Sequence, residues 1–289
     1  MSASPLSPTL SLSRFALLKV AGPDSERFLQ GQLTCDVVKL ADQHWETGAC
    51  CTAKGRMVAN FIIARSGQDF WLRLPQAQAV ALKNHLSKYA VFYKTSMTLD
   101  ERPLAGCLPQ QAVQTTLAGQ HPLRSDAEQI ILSWPDGREE IWGAAASGDD
   151  SDWHALDIAM GVVWVEEASR EAWVPQFIDW HLHGGVNFKK GCYTGQEIVA
   201  RLQYLGKSKK HLLRADAATA LPLKPLDDLQ DESGKSIGEI ASWNGSMGLV
   251  IVQGENIPAV AKAGENTVKI ATLFYTEAST EADAPSSPD

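Results

Sequence analysis

Short apolar runs broken by Gly, Pro and Asp mark strands along most of the chain. Residues 14–21 (Arg-Phe-Ala-Leu-Leu-Lys-Val-Ala) read as a strand. Gly22-Pro23-Asp24 then opens a short helix over 25–33, because Pro and acidic residues suit a helix N-terminus. Runs at 47–53, 57–65 and 70–74, joined by Lys54-Gly55-Arg56 and Ser66-Gly67-Gln68, predict an antiparallel meander. From Pro75 to Tyr89 the period becomes helical, with Val80, Leu82, Leu86 and Tyr89 on the buried stripe. A strand at 95–99, a helix over 110–117, and a hairpin of 130–134 with 140–142 around Pro135-Asp136-Gly137 follow.

The small, acidic stretch 144–152 reads as a connector, and Asp152 can cap a helix over 153–160 that Gly161 ends. Beyond Lys207 the pattern changes. Runs at 210–215, 236–242, 248–252 and 268–274 between polar turns predict a small β-barrel or sandwich. The Ser-, Ala- and acid-rich tail 277–289 has almost nothing to bury and is expected to be disordered. Strand-rich sheets with a few interspersed helices define an α+β class, and 289 residues suit more than one domain.

Composition narrows the partners. The formal charge of −8 opposes whole-surface attraction to nucleic acid or anionic membrane, so a polyanion would need a local patch. No apolar run approaches the roughly 18 residues that span a bilayer, and the first residues lack the basic start of a secretory signal. Five cysteines are too few and of the wrong parity for a disulfide framework, which points to a reducing cytoplasm.

The most unusual string is Lys189-Lys190-Gly191-Cys192-Tyr193-Thr194-Gly195-Gln196-Glu197. Thr194 and Glu197 have capping-box spacing, so a helix should begin here. Cys192 then precedes a helix N-terminus beside two lysines, and both fields favour the thiolate. A structural Cys filling a tight turn is the competing reading. His181 and His183 sit at i, i+2 with no evident third ligand, so hydrogen-bonded histidine competes with a metal site. Adjacent Cys50 and Cys51 point to opposite strand faces and read as packing. Arg201, Lys207, Lys209 and Lys210, followed by His211 and Arg214, form a basic stretch in an acidic chain. It could meet a polyglutamyl folate tail, RNA phosphate or an acidic partner, or be a solvated Lys-rich edge.

The Lys189–Glu197 string resembles that of the YgfZ family. So do Gly184-Gly185-Val186-Asn187-Phe188, Gly22-Pro23-Asp24, the run from Phe28 to Val37, Lys54-Gly55-Arg56 and Lys88-Tyr89-Ala90-Val91-Phe92. The resemblance covers most of residues 14–275. It implies a three-domain aminomethyltransferase (T-protein)-like ring around a central channel. The first domain would comprise 1–44 and 146–206, the inserted second domain 45–145, and a C-terminal β-barrel 207–276. It further implies a tetrahydrofolate-type ligand, contacted by aromatics whose positions fall on Phe15 and Trp153. The implied role is maintenance of iron-sulfur enzymes, including those that thiolate tRNA, by a cytoplasmic monomer. Cys192 is the required thiol in that reading, with any cluster held only transiently. The transferase carboxylate of the T-protein relatives has no counterpart near Leu72-Arg73-Leu74-Pro75, so one-carbon transfer is the alternative, and a tRNA-binding scaffold a further one.

Overall fold

The computed structural model describes residues 9–206 and 208–276; Lys207 and the tail 277–289, for which disorder was expected, lie outside the described residues. Strand β1 (Leu10–Ser11) and β2 (Phe15–Ala21) lead into helix α1 (Ser25–Gln32), a 3-10 turn (Val37–Lys39), and the meander β3 (His44–Cys51), β4 (Met57–Ser66) and β5 (Asp69–Pro75). Helix α2 (Gln76–Ser87), β6 (Ser96–Asp100), β7 (Leu104–Cys107), β8 (His121–Ser125), β9 (Ile130–Ser133) and β10 (Glu139–Trp142) follow. Helix α3 (Ser151–Ala159), a second 3-10 turn (Pro175–Ile178) and helix α4 (Gln196–Tyr204) precede the last six strands. These are β11 (Lys210–Ala217), β12 (Asp228–Gln230), β13 (Ser236–Asn244), β14 (Met247–Gln253), β15 (Val260–Ala263) and β16 (Asn266–Ala271).

The first ten strands make one curled sheet in the order β1-β7-β10-β9-β8-β3-β4-β5-β2-β6, and the last six close a barrel. Period-2 alternation gives the β2 to β5 half of the sheet two buried faces. Leu18, Val20, Phe61, Ile63, Phe70 and Leu72 point to one face, where α1 and α2 cover them with Phe28, Leu29, Leu82 and Leu86. Their neighbours Leu17, Ile62, Ala64 and Trp71 point to the other, a tryptophan-rich core that includes Trp45, Trp134, Trp153, Trp164 and Trp180. Barrel strands are divided in the same way: Leu213, Ile240, Val250 and Val252 fill the barrel, whereas Leu212, Ala241, Leu249 and Ile251 join the central core. That double burial explains the unbroken apolar run Leu249–Val252, which a strand with one wet face would not need.

Strands on either side of position 44/45 share one sheet: β2 pairs with both β5 and β6, and β1 pairs with β7. The expected helices need correction. Residues 110–117 carry no helix; their only larger apolar residues are Val113 and Leu117, and the β-branched pair Thr115-Thr116 disfavours helix. On α2 the buried face is Gln78, Ala79, Leu82 and Leu86, while Val80 and Tyr89 face solvent. Helix α3 starts one residue ahead of the expected cap, at Ser151 after Asp150, with no side-chain cap hydrogen bond. Strands β7, β8, β12 and β15 are too short to leave a pattern.

Candidate functional site

Three of the family-like strings converge on one surface, and backbone groups hold them together. Gly185 lies so close beneath the Trp180 indole that a Cβ there would be 2.2 Å from the ring, and Trp180 Nε1 donates to the Gly48 carbonyl at 3.0 Å. The Thr34 hydroxyl donates to the Gly185 carbonyl at 2.5 Å and accepts from the Ala49 amide at 2.8 Å. The Asn187 amide donates to the Thr34 carbonyl at 2.9 Å. Next comes Lys190, whose buried ammonium donates to the carbonyls of Gln30, Leu33 and Cys35, each at 2.7 Å. Those oxygens sit at and just beyond the C-terminus of α1, where carbonyls lack helical partners and the dipole favours a cation. Burial lowers the Lys190 pKa, while the nearby Asp36 and Glu46 carboxylates favour its charged form.

Lys190 is therefore an anchor, turned into the protein. Beyond it the chain turns outward, and Cys192 is exposed. The other cysteines are buried. Burial pushes the Cys50 thiol up to about 12 and raises those of Cys35, Cys51 and Cys107. The two adjacent cysteines divide as the alternation requires, Cys50 on the helix-covered core and Cys51 on the central one.

Helix α4 does begin in the motif, but not through the expected capping box. Gly195 is the N-cap, in the left-handed region at φ 86°, and no side chain caps the helix. A Cβ at Gly195 would meet the Thr52 carbonyl oxygen at 2.4 Å, so only glycine fits against the turn before Lys54-Gly55-Arg56. Thr194, displaced from the cap position, directs its hydroxyl to Gln32 Oε1 at 3.5 Å. Glu197 remains in the first turn of α4, where its charge suits the dipole.

The structure does not offer Phe15 and Trp153 as open stacking platforms. Trp153 is fully buried; Trp134 meets it edge-on at 5.3 Å, the Arg138 guanidinium lies 4.3 Å from its ring, and Gly106 closes in so tightly that a Cβ would be 2.7 Å away. Phe15 is covered by the Arg73 guanidinium at 3.6 Å and flanked by Trp164 at 5.6 Å. A cavity of about 530 Å³ opens beside Trp164, bounded by Arg14, Pro75, Gln76, Glu166 and Glu167; neither Phe15 nor Trp153 lines it. Cys192 does not line it. Arg14 is fixed at its edge by Asp150 at 3.3 Å and Asp157 at 3.5 Å.

A buried ionic network under this cavity escaped sequence reasoning. Arg73 Nη2 pairs with Glu140 at 2.8 Å, both fully buried, and Trp142 Nε1 donates to the same carboxylate at 2.7 Å. Arg138 bridges Asp136 at 2.7 Å and Asp157 at 2.8 Å, and Trp164 Nε1 donates to Asp157 at 2.9 Å. Burial alone would raise the Asp157 pKa, but the guanidiniums of Arg138, Arg14 and Arg73 outweigh it and hold the carboxyl below its usual range. The available signal was Arg73 itself, a cation inside the apolar run Phe70–Leu74.

His181 and His183 lie in turns, not on a strand. His183 is fully buried, accepting from the Leu117 amide and donating to the Gly161 carbonyl, each at 3.2 Å. Among the described residues no cluster of three metal-ligating side chains occurs. The basic stretch spans two elements: Arg201 lies on α4, Lys210 pairs with Glu239 at 3.3 Å on the barrel, and Lys209 is exposed between them. No helix among the described residues is long and apolar enough to cross a membrane.

Curled sheet, covering helices and closed barrel together define an aminomethyltransferase T-like fold. The chain is similar to the crystal structure of the glycine cleavage system aminomethyltransferase T from Bartonella henselae, with a TM-score of 0.64 over 91% of this chain and 84% of that one, at 16% identity. No family model matches the chain. It is 32% identical to the tRNA-modifying protein YgfZ of Escherichia coli (strain K12) and to that of Shigella flexneri, in each case over 78% of this chain and 77% of the relative. The chain belongs to the YgfZ family.

Proposed function

We propose that the protein is a cytoplasmic, tetrahydrofolate-binding accessory factor that helps assemble or repair iron-sulfur enzymes, including those that thiolate tRNA. The observation that carries the reading is the Lys190 anchor, which fixes the loop on backbone carbonyls and leaves Cys192 outside as the exposed thiol. One thiol cannot hold a cluster alone, since four protein ligands are usual. Any cluster at Cys192 is shared with a client and transient.

The residues around the Arg14 cavity fit a reduced folate. Its volume lies within the roughly 300–1,000 Å³ of small-molecule sites. Glu166 and Glu167 supply acceptors for a pterin's amino and ring N–H groups and Trp164 an aromatic wall, while Arg14 is already paired with Asp150 and Asp157. A bound reduced folate would supply a one-carbon carrier. The chain's own part is to orient the pterin by its polar edge. Cys192 and this cavity are lined by different residues, which supports separate roles for thiol and folate.

The test is titration of reduced folates against the intrinsic tryptophan fluorescence, which Trp164 makes sensitive to occupancy. Saturable quenching is expected, with Glu166→Gln weakening binding about tenfold for the loss of one charged hydrogen bond. Failure of any reduced folate to quench would reject the ligand. Full rescue of iron-sulfur enzyme activity by Cys192→Ala in a null strain would remove the thiol from the role. A one-carbon transferase is the second reading, because Glu166 and Glu167 place carboxylates beside Pro75; turnover of a methylene donor by the purified protein decides it.

A further inference from the structure

Two further cavities meet beside α4. One, of about 450 Å³, is floored by Phe177, Ile198 and Leu202 and edged by Lys54, Arg56 and Arg201. The other, of about 440 Å³, lies on the barrel and is lined in part by Lys209, Lys210 and Glu239. They adjoin where the Lys210 ammonium lies 4.8 Å from the Phe177 ring. Lys210 is neutralised by Glu239. Lys54, Arg56, Arg201 and Lys209 make no ion pair among the described residues.

Four cations without an ion pair among the described residues, of which Arg56 also donates to the Ala172 carbonyl, lie along one trough and contrast with a chain of net charge −8. Such segregation is the footprint of a local polyanion site. The apolar component narrows the class. Leu205, 83% exposed, lines the trough at the end of α4, and its chain neighbour Tyr204, 67% exposed, meets Phe188 edge-on at 6.0 Å, which leaves the faces of its ring open. An acidic peptide has no need of an exposed aromatic face, whereas a single-stranded nucleic acid combines phosphates for the cations with bases for the ring.

We infer that this trough binds single-stranded RNA, with phosphates on Lys54, Arg56, Arg201 and Lys209 and a base stacked on Tyr204. The site shares no residue with the Arg14 cavity and stands whether or not folate binds there.

The experiment is fluorescence anisotropy of a labelled oligouridylate of about 12 nucleotides, a length that one such groove can track, with the full-length protein. Between about 50 and about 200 mM salt, four phosphate contacts at about 0.7 counterion each give a log–log slope near −3. The K54E/R201E variant, altered at two exposed side chains, should bind at least about tenfold more weakly with a shallower slope. Tyr204→Ala should lose about five- to hundredfold with the slope unchanged, since stacking carries no salt dependence. Unaltered urea midpoints for both variants show that the fold is retained. Absence of binding by wild type, or equal binding by K54E/R201E, overturns the inference. So does an unaffected Tyr204→Ala together with equal competition by oligoglutamate, which would make the occupant an acidic peptide.

Discussion

The ammonium of Lys190 lies 2.7 Å from the carbonyl oxygen of Leu33, 157 residues earlier in the chain. Two more carbonyls, those of Gln30 and Cys35, complete its shell. A lysine that looks from the sequence like a surface charge beside a reactive thiol is thus a buried link between the end of α1 and the motif loop.

Replacing Lys190 by Met leaves those carbonyls without a donor in a water-poor site. Stability should fall by about 2–4 kcal/mol, the cost of losing charged hydrogen bonds with their acceptors left buried. A lowered urea midpoint at unchanged m-value checks it. A midpoint equal to wild type would mean that water replaces the ammonium without cost.

Thiol reactivity should be confined to one site. In native protein a bulky aromatic disulfide reagent should label Cys192 alone, and Cys192→Ser should abolish the fast phase. Unfolding should release the remaining four of the five cysteines. Fast native labelling that survives Cys192→Ser would show that the sheet opens around a buried thiol.

Arg73 and Glu140 form a pair with no solvent on either side. Arg73→Met should cost about 3–5 kcal/mol, because it strands a buried carboxylate. The double change Arg73→Met with Glu140→Met should cost less than the single one, since no orphan charge remains. Additive losses in a double-mutant cycle would contradict this.

Asp179 predicts a pH dependence. Burial pushes its carboxyl up to about 6 from an ordinary 3.8, against the lowering influence of the Tyr275 hydroxyl 3.2 Å away. The folded state therefore holds this proton more tightly than the unfolded chain. The resulting stability is complete below about pH 4 and lost as the pH rises through about 6. Asp179 also occupies the left-handed region at φ 51°, which Asn tolerates. Asp179→Asn should leave stability unchanged near pH 4 and raise it by about 1–3 kcal/mol near pH 8. Equal urea midpoints for the two proteins near pH 8 would show that the carboxyl ionises without strain.

How far the sequence discloses the molecule depends on pattern length. The strands of the meander, the 130–142 hairpin and the main barrel strands repeat often enough to be recognised, within a few residues at their ends. Strands of three to five residues such as β8 and β12 are too short to show a period, and each also pairs with a strand distant in sequence, β3 and β15 respectively, which no local pattern records. At the site, Cys192 was legible from its string, as was the opposed packing of Cys50 and Cys51. The anchor role of Lys190 was not, because it depends on carbonyls that a helix end exposes only once the fold is made. Trp153 was legible as an aromatic at a helix start, but its burial follows from Gly106 and Arg138, on other elements.

Strand β3 has no wet side at its C-terminal end: Ala49 and Cys51 belong to one apolar interior, Cys50 to the other. It works as a party wall between two rooms. The loop bearing Cys192 is tied to that wall through Thr34 and Trp180, so it inherits the rigidity of both sides. Loosening the thiol's mount would require disturbing the interior packing of the whole sheet.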